Sequence, residues 1–204
     1  MQEPFIFFGT PYIARDTLEI LFTRGYVPAL IVTSPDAPQG RGLTLTPSPV
    51  KVWAEEHHIP VITPEKLDAS VRDQLQTYTP TYALVVAYGK ILPTSLIESF
   101  PKGILNIHYS LLPKYRGASP VEAALLHDEK VTGVSIQKMV YELDAGDVLA
   151  VRELPIAPND TTVELRAKLI ALGPEWDNVE VSLNDEYGAT DVECIDYGEA
   201  YPLL

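Results

Sequence analysis

Short apolar runs and amphipathic stretches alternate along this chain. Pro4-Phe5-Ile6-Phe7-Phe8 reads as a buried strand, and Gly9 ends it. Pro11 suits the first turn of a helix, where its missing N–H costs nothing. Ile13, Leu18, Ile20, Leu21 and Phe22 give that helix an apolar face, and Gly25 fits its stop. Residues 27–33 predict a second strand. Strand, helix, strand in this order argues for an α/β fold with a parallel sheet.

The pattern lapses over residues 34–49, which are rich in Pro and Gly and have little periodicity. A loop that long inside a compact domain is either functional or disordered. Ser48 is a suitable N-cap, Pro49 follows it, and residues 51–57 continue as a helix. Residues 59–62 form a short strand and 68–78 have helical spacing. Residues 82–88 read as a strand buried on both faces and ended by Gly89. Residues 103–108 start as another buried strand. A helix is predicted over 120–126. Residues 131–139 alternate as a strand, and 148–153 pair back on it as a hairpin. Asn159-Asp160-Thr161-Thr162 is a capping cluster for a helix over 163–172, which Gly173 ends. No internal repeat is present.

Residues after Pro174 change character. Val179, Val181 and Leu183 alternate weakly, and acids, Gly and Tyr then dominate. A hairpin on the sheet edge and a loosely ordered tail both fit this segment.

Composition bounds the class. With 204 residues, 46% hydrophobic and 21% charged, the chain has the make-up of a soluble globular protein with one substantial domain. Its single cysteine, Cys194, allows no internal disulfide framework and no thiolate metal cluster. No apolar run reaches the length of a membrane span, and no signal-peptide pattern is present, so the cytoplasm is the expected compartment. The net charge of -13 argues against nucleic acid as a partner. That charge is uneven, however. From Glu175 onward there are acids and no Lys or Arg, so the preceding part is much nearer neutral and can carry local basic loops.

The chemistry concentrates where the strand over 103–108 turns polar. Asn106 and His108 are two residues apart, so both project from one face of the strand. Polar groups at the C-terminal end of a strand are where open α/β sheets place their chemistry. Together, a carboxamide and an imidazole can donate hydrogen bonds to one oxygen, as an oxyanion hole does in acyl transfer. An isolated Asn-x-His more often just caps backbone groups. Asp144 lies in a Gly-flanked loop after another strand. It is either an ordinary turn residue or a carboxylate that orients the imidazole. Gly9-Thr10-Pro11 is not a dinucleotide fingerprint, because the further glycines and a closing acid are missing. His57, His58, His108 and His127 show no metal-ligand spacing, and no metal is expected.

Taken together, these motifs resemble the folate-dependent formyltransferase family. The resemblance rests on Asn106-Ile107-His108-Tyr109-Ser110-Leu111-Leu112-Pro113 with Arg116-Gly117, and on Leu143-Asp144-Ala145-Gly146-Asp147. Phe8-Gly9-Thr10-Pro11, Gly40-Arg41-Gly42, residues 45–51 and residues 86–93 match the branch of the family that acts on methionyl-tRNA. The likeness runs from about Phe5 to Pro174.

The resemblance implies a Rossmann-like, mostly parallel sheet flanked by helices. It implies transfer of formyl from 10-formyltetrahydrofolate, the co-substrate, to the amino group of initiator methionyl-tRNA, in support of translation initiation. Asn106, His108 and Asp144 are the implied catalytic set. Asn106 and protonated His108 would stabilise the oxyanion, while Asp144 would orient His108 and help a water relay the proton. The implied folate contacts are Val86, Ala87, Tyr88, Gly89, Lys90, Ile91 and Leu92 on one side, and Val140, Glu142 and Leu143 on the other. Ser110, Leu111, Leu112 and Pro113 complete them, in a turn that also shapes the amine side. Gly40, Arg41, Gly42 and Lys51 are the implied tRNA contacts.

Ala37, Leu43 and Thr44 stand where the family commonly has Arg or Lys. Nothing after Pro174 resembles the C-terminal β-barrel domain of the family's tRNA enzymes. The expected division is a catalytic domain over 1–174 and an acidic tail over 175–204. A monomer is expected. Two other readings stay open: a formyltransferase acting on a small amine such as an amino-sugar nucleotide, and a catalytically impaired folate-binding short form.

Overall fold

The structure, a computed structural model, describes residues 3–40 and 42–173. Arg41 and the tail expected over 175–204 lie outside the described residues. A seven-stranded sheet forms the centre. It is built from β1 (Phe5–Gly9), β2 (Leu30–Val32), β5 (Val61–Ile62), β6 (Tyr82–Val86), β7 (Ile104–His108), β8 (Val131–Lys138) and β9 (Val148–Pro155). The strand order is β5-β2-β1-β6-β7-β8-β9. The first five strands run parallel, and β8 and β9 add antiparallel at one edge. The mostly parallel α/β sheet read from the sequence is thus the observed one.

Helices cover both faces, as parallel strands require. Phe5, Phe7, Tyr82, Leu84, Leu105 and Ile107 pack on one side with α1 (Tyr12–Thr23), α2 (Pro49–Glu56), α5 (Pro120–Leu126) and α6 (Thr162–Leu172). Ile6, Phe8, Ala83, Val85 and Ile104 pack on the other with α3 (Ala69–Gln76) and α4 (Thr94–Ile97). Gly9 makes the first of these packings possible, since a Cβ there would lie 2.8 Å from the Ala14 Cβ of α1.

Caps set several helix ends where the sequence placed them. The Ser48 side chain accepts from Lys51 N, and Asp68 accepts from Ser70 N and Val71 N. Thr161 and Glu164 form a reciprocal capping box. Gly25, at φ +91°, ends the turn after α1.

Several expectations shift, and the strands expected over 59–62 and 82–88 shorten to Val61–Ile62 and Tyr82–Val86. Pro11 is the extended N-cap residue of α1 rather than part of its first turn. The second strand spans three residues of the seven predicted. The stretch 34–49, read as an aperiodic loop, contains a two-stranded hairpin of β3 (Ala37–Gln39) and β4 (Thr44–Thr46). Neither hairpin strand is buried, so no apolar alternation marks them. The hairpin is fixed at its base. Lys51 Nζ donates to both oxygens of Asp36 at 2.8 and 2.9 Å, and the Thr33 and Ser48 hydroxyls meet at 2.7 Å. The one-turn helix α4 was not foreseen.

Candidate active site

Register levels the working edge of the sheet. Phe8 of β1 stands opposite Val85 of β6, which stands opposite Asn106 of β7. On β8, Gln137 faces Asn106 and Ser135 faces His108. Side-chain alternation then puts Asn106, His108, Ser135 and Gln137 on one face, continuing the row begun by Ile6, Ala83, Val85 and Ile104. Here the covering elements are loops rather than a helix. One loop follows β7 and the other joins β8 to β9.

All four of these side chains are buried. They converge on Asp144, a residue at φ +47° in the β8–β9 connection. Its Oδ1 accepts from Asn106 Nδ2 at 3.2 Å and from Gln137 Nε2 at 2.7 Å. Its Oδ2 accepts from the backbone N–H of Gly117 at 2.7 Å and lies 3.6 Å from His108 Nδ1. Asn106, His108 and Asp144, 38 residues apart at the extremes, are therefore brought into one cluster.

The imidazole is held from its other side as well. His108 Nε2 stands 2.8 Å from the carbonyl of Tyr115, an acceptor only, so Nε2 carries a hydrogen and donates it. The Ser110 and Ser135 hydroxyls donate to backbone carbonyls of Lys114 and Ser110 at 2.6 and 2.7 Å. Leu112 N donates to Ser135 Oγ at 3.0 Å, and the peptide Leu112–Pro113 is cis. These bonds use the serine hydroxyls to build the turn. What remains at the centre is a set of donors around the Asp144 carboxylate.

Gly146 fixes the approach of the Asp144 loop. A Cβ there would lie 1.7 Å from the Lys138 carbonyl oxygen. The connection thus crosses the end of β8 at backbone contact.

The segments expected around a folate flank the cluster. Val86 ends β6 buried; Ala87 and Gly89 turn through φ +45° and +83°. Tyr88 and Leu92 point into the α3/α4 side of the core, while Ile91 is 77% exposed. Burial pushes the Tyr88 phenol up to about 12. Lys90 Nζ is engaged by the carbonyls of Pro64 and Glu65 at 2.7 and 3.0 Å, tying this segment to the loop after β5. On the other side Val140, Glu142 and Leu143 are exposed, Leu143 at 71%. Leu111 packs where Gly133 leaves room. Lys51, expected at the tRNA, is occupied by Asp36, whose hydrogen bond raises its pKa. Gly40 and Gly42 are exposed on either side of Arg41.

Sequence reasoning missed Gln137. The alternation of β8 was visible, but its register against β7 was not, and only register sets Gln137 beside Asn106. Among the described residues no group of three or more His, Cys, Asp or Glu is placed to hold a metal ion. No helix among them is long and apolar enough to cross a membrane.

An open α/β sheet with carboxamide, imidazole and carboxylate gathered at its strand ends is an arrangement that several classes of α/β enzyme share. Comparison with known proteins narrows the choice. Residues 5–177 match the formyl transferase family, and the chain belongs to it. Methionyl-tRNA formyltransferase of Halalkalibacterium halodurans is 44% identical over 169 residues, which are 82% of this chain and 53% of that protein. The enzyme of the same name from Geobacter metallireducens is 46% identical over 171 residues, 83% of this chain and 55% of that protein. The chain thus spans about half the length of these relatives.

Solved structures agree on the fold. Phosphoribosylglycinamide formyltransferase from Bacillus halodurans superimposes with a TM-score of 0.67 at 23% identity, covering 83% of this chain and 89% of that one. A sugar 3N-formyl transferase superimposes with a TM-score of 0.58 at 19% identity, covering 90% of this chain and 62% of that one.

Proposed function

We propose that this chain transfers the formyl group of 10-formyltetrahydrofolate to the amino group of initiator methionyl-tRNA, in the cytoplasm. The observation that carries the reading is the convergence of Asn106, His108 and Gln137 on Asp144 in a chain 44–46% identical to enzymes of that name. In the proposed reaction the amine nitrogen attacks the formyl carbon. The bond from that carbon to the folate nitrogen breaks, the amine gives up one proton, and the folate nitrogen takes one up.

Asn106 has two N–H bonds on Nδ2 and spends one on Asp144. The second is the donor assigned to the developing oxyanion, while His108, its Nε2–H held by Tyr115, keeps Nδ1 beside Asp144 to serve the proton transfer. Asp144 holds both groups in register. The folate lies between the 86–92 segment and the 140–143 loop, where exposed Ile91 and Leu143 supply apolar surface. The acceptor end of the tRNA meets the β3–β4 hairpin and Arg41.

The test is direct. Purified chain is incubated with 10-formyltetrahydrofolate and methionyl-tRNA, and formylmethionyl-tRNA is measured. Product supports the reading. Turnover of an amino-sugar nucleotide in its place would move the chain to the small-amine branch, and folate binding with neither product would make it a binding protein. Arg41→Ala tests the hairpin. Loss of one phosphate contact lowers the salt slope of tRNA binding by about one unit, and an unchanged slope removes Arg41 from that role.

A further inference from the structure

The turn after β7 grips both ionisable groups of the site. Its Tyr115 carbonyl accepts from His108 Nε2 at 2.8 Å, and two residues on, its Gly117 N–H donates to Asp144 Oδ2 at 2.7 Å. Any shift of this turn moves His108 and Asp144 together. The turn is not locally comfortable. Tyr115 sits at φ +56°, in the left-handed region that a residue with a Cβ disfavours. An anchor outside the turn adds to the serine bonds that build it.

That anchor lies in the connection between α5 and β8. The Tyr115 hydroxyl donates to Glu129 Oε1 at 2.7 Å, and Lys114 Nζ reaches the same carboxylate at 3.1 and 3.4 Å. The Tyr115 ring also leans on His127, with centroids 5.4 Å apart. The Tyr115 bond is the largest influence on Glu129, holding its carboxyl below the usual range, and the same bond raises the Tyr115 phenol. Two consecutive residues of the turn are thus pegged to one carboxylate. Neither the cluster around Asp144 nor the proposed reaction uses Glu129.

We propose that Glu129 is a positioning residue for formyl transfer, acting through Tyr115 on His108 and, along the same turn, on Asp144. Glu129 does not touch the reacting atoms. It fixes the carbonyl that orients the imidazole. This rests on the reading that His108 serves the transfer.

The experiment compares Tyr115→Phe, Glu129→Gln and the double variant in the full chain. Steady-state formyl transfer to methionyl-tRNA is measured beside the NMR signal of the His108 Nε2 proton, assigned with His108→Gln. Tyr115→Phe keeps the ring and removes only the hydroxyl. The expected loss is about five- to tenfold in kcat, with both KM values within about twofold. The double variant should lose no more than the worse single one, because both act on one link. The His108 proton signal should move in all three.

Unchanged kcat in both single variants, losses that multiply, or a fixed His108 signal would each overturn the proposal. Glu129→Gln keeps the side-chain shape and removes the negative charge that strengthens the Tyr115 bond and holds Lys114. A shifted His108 signal and lowered kcat in that folded variant therefore support the proposal even if Tyr115→Phe fails to fold. Absence of formyl transfer in the unaltered chain would count against the functional reading alone. The NMR signal would then decide the link from Glu129 to His108 by itself.

Discussion

One face of the sheet has two halves. Over β1 and β6 it presents Ile6, Phe8, Ala83 and Val85 to α3 and α4. Over β7 and β8 it presents Asn106, His108, Ser135 and Gln137 to loops. Both halves are buried, but they are stabilised in opposite ways. The apolar half gains from area removed from water and needs no directional partner. The polar half must pair what it buries, because an unpaired buried polar atom costs the desolvation it cannot recover. Asp144 pairs Asn106 and Gln137, while backbone groups of the turn pair His108 and Ser135. A loop can deliver a carboxylate and backbone N–H groups at chosen angles, whereas a packed helix face cannot. The proposed chemistry belongs to the loop-covered half.

Each half leaves a loose end. Tyr88 Oη in the apolar half and Gln137 Oε1 in the polar half are buried with no hydrogen-bond partner, as is Thr132 Oγ1 elsewhere on β8.

If this contrast is right, substitutions in the two halves should separate stability from activity. The largest effect on folding is expected for Phe8→Ala. Phe8 is fully buried and meets the Tyr88 ring edge-on at 5.4 Å, so unfolding experiments should show a loss of about 3–5 kcal/mol. Asn106→Ala should do the reverse. Its kcat should fall by about 10²–10³ while the melting temperature changes far less, and a fall of tenfold or smaller would remove Asn106 from the oxyanion role. Gln137→Met keeps side-chain length and removes the donor to Asp144. About a tenfold loss in kcat with little change in the folate KM is expected, and an unchanged kcat would make Gln137 a bystander.

The smallest effect belongs to Tyr88→Phe, which deletes a hydroxyl that bonds nothing. Stability at neutral pH should be unchanged or slightly raised. The sign of its pH dependence follows from the raised phenol. The unfolded chain ionises at the ordinary tyrosine value while the folded one keeps its proton up to about 12. Stability therefore falls as pH rises between those values, and Tyr88→Phe should flatten that slope in alkaline denaturation curves.

Much of the fold was legible because these elements carry their own punctuation. β6 is an apolar run with a glycine three residues past its end. α6 begins at a capping cluster in which Thr161 and Glu164 do bond reciprocally. The step from Ile104-Leu105 to Asn106 announced a strand that ends in chemistry. The β3–β4 hairpin was not legible. Strand alternation is a burial signal, and Leu45, the large apolar side chain on β4, is exposed. The helix α4 is a single turn, too short for any period to show. At the site, Asn106, His108 and Asp144 were found by motif, and the structure gathers them. Gln137 was invisible because its role depends on which β8 residue pairs with Asn106. The engagement of Lys51 by Asp36 was invisible too, since the hairpin that returns the chain to its own base could not be seen.

Gly146 carries a consequence for how this protein can vary. Its constraint is not torsional; a methyl group there would overlap the oxygen of Lys138. In a library holding all amino acids at each codon of residues 140–147, position 146 should yield only glycine among active clones. Neighbouring Ala145, exposed, should accept most replacements. The loop that carries Asp144 would then diverge readily on both sides of one invariant letter. That letter would be set by a neighbour's carbonyl rather than by any substrate.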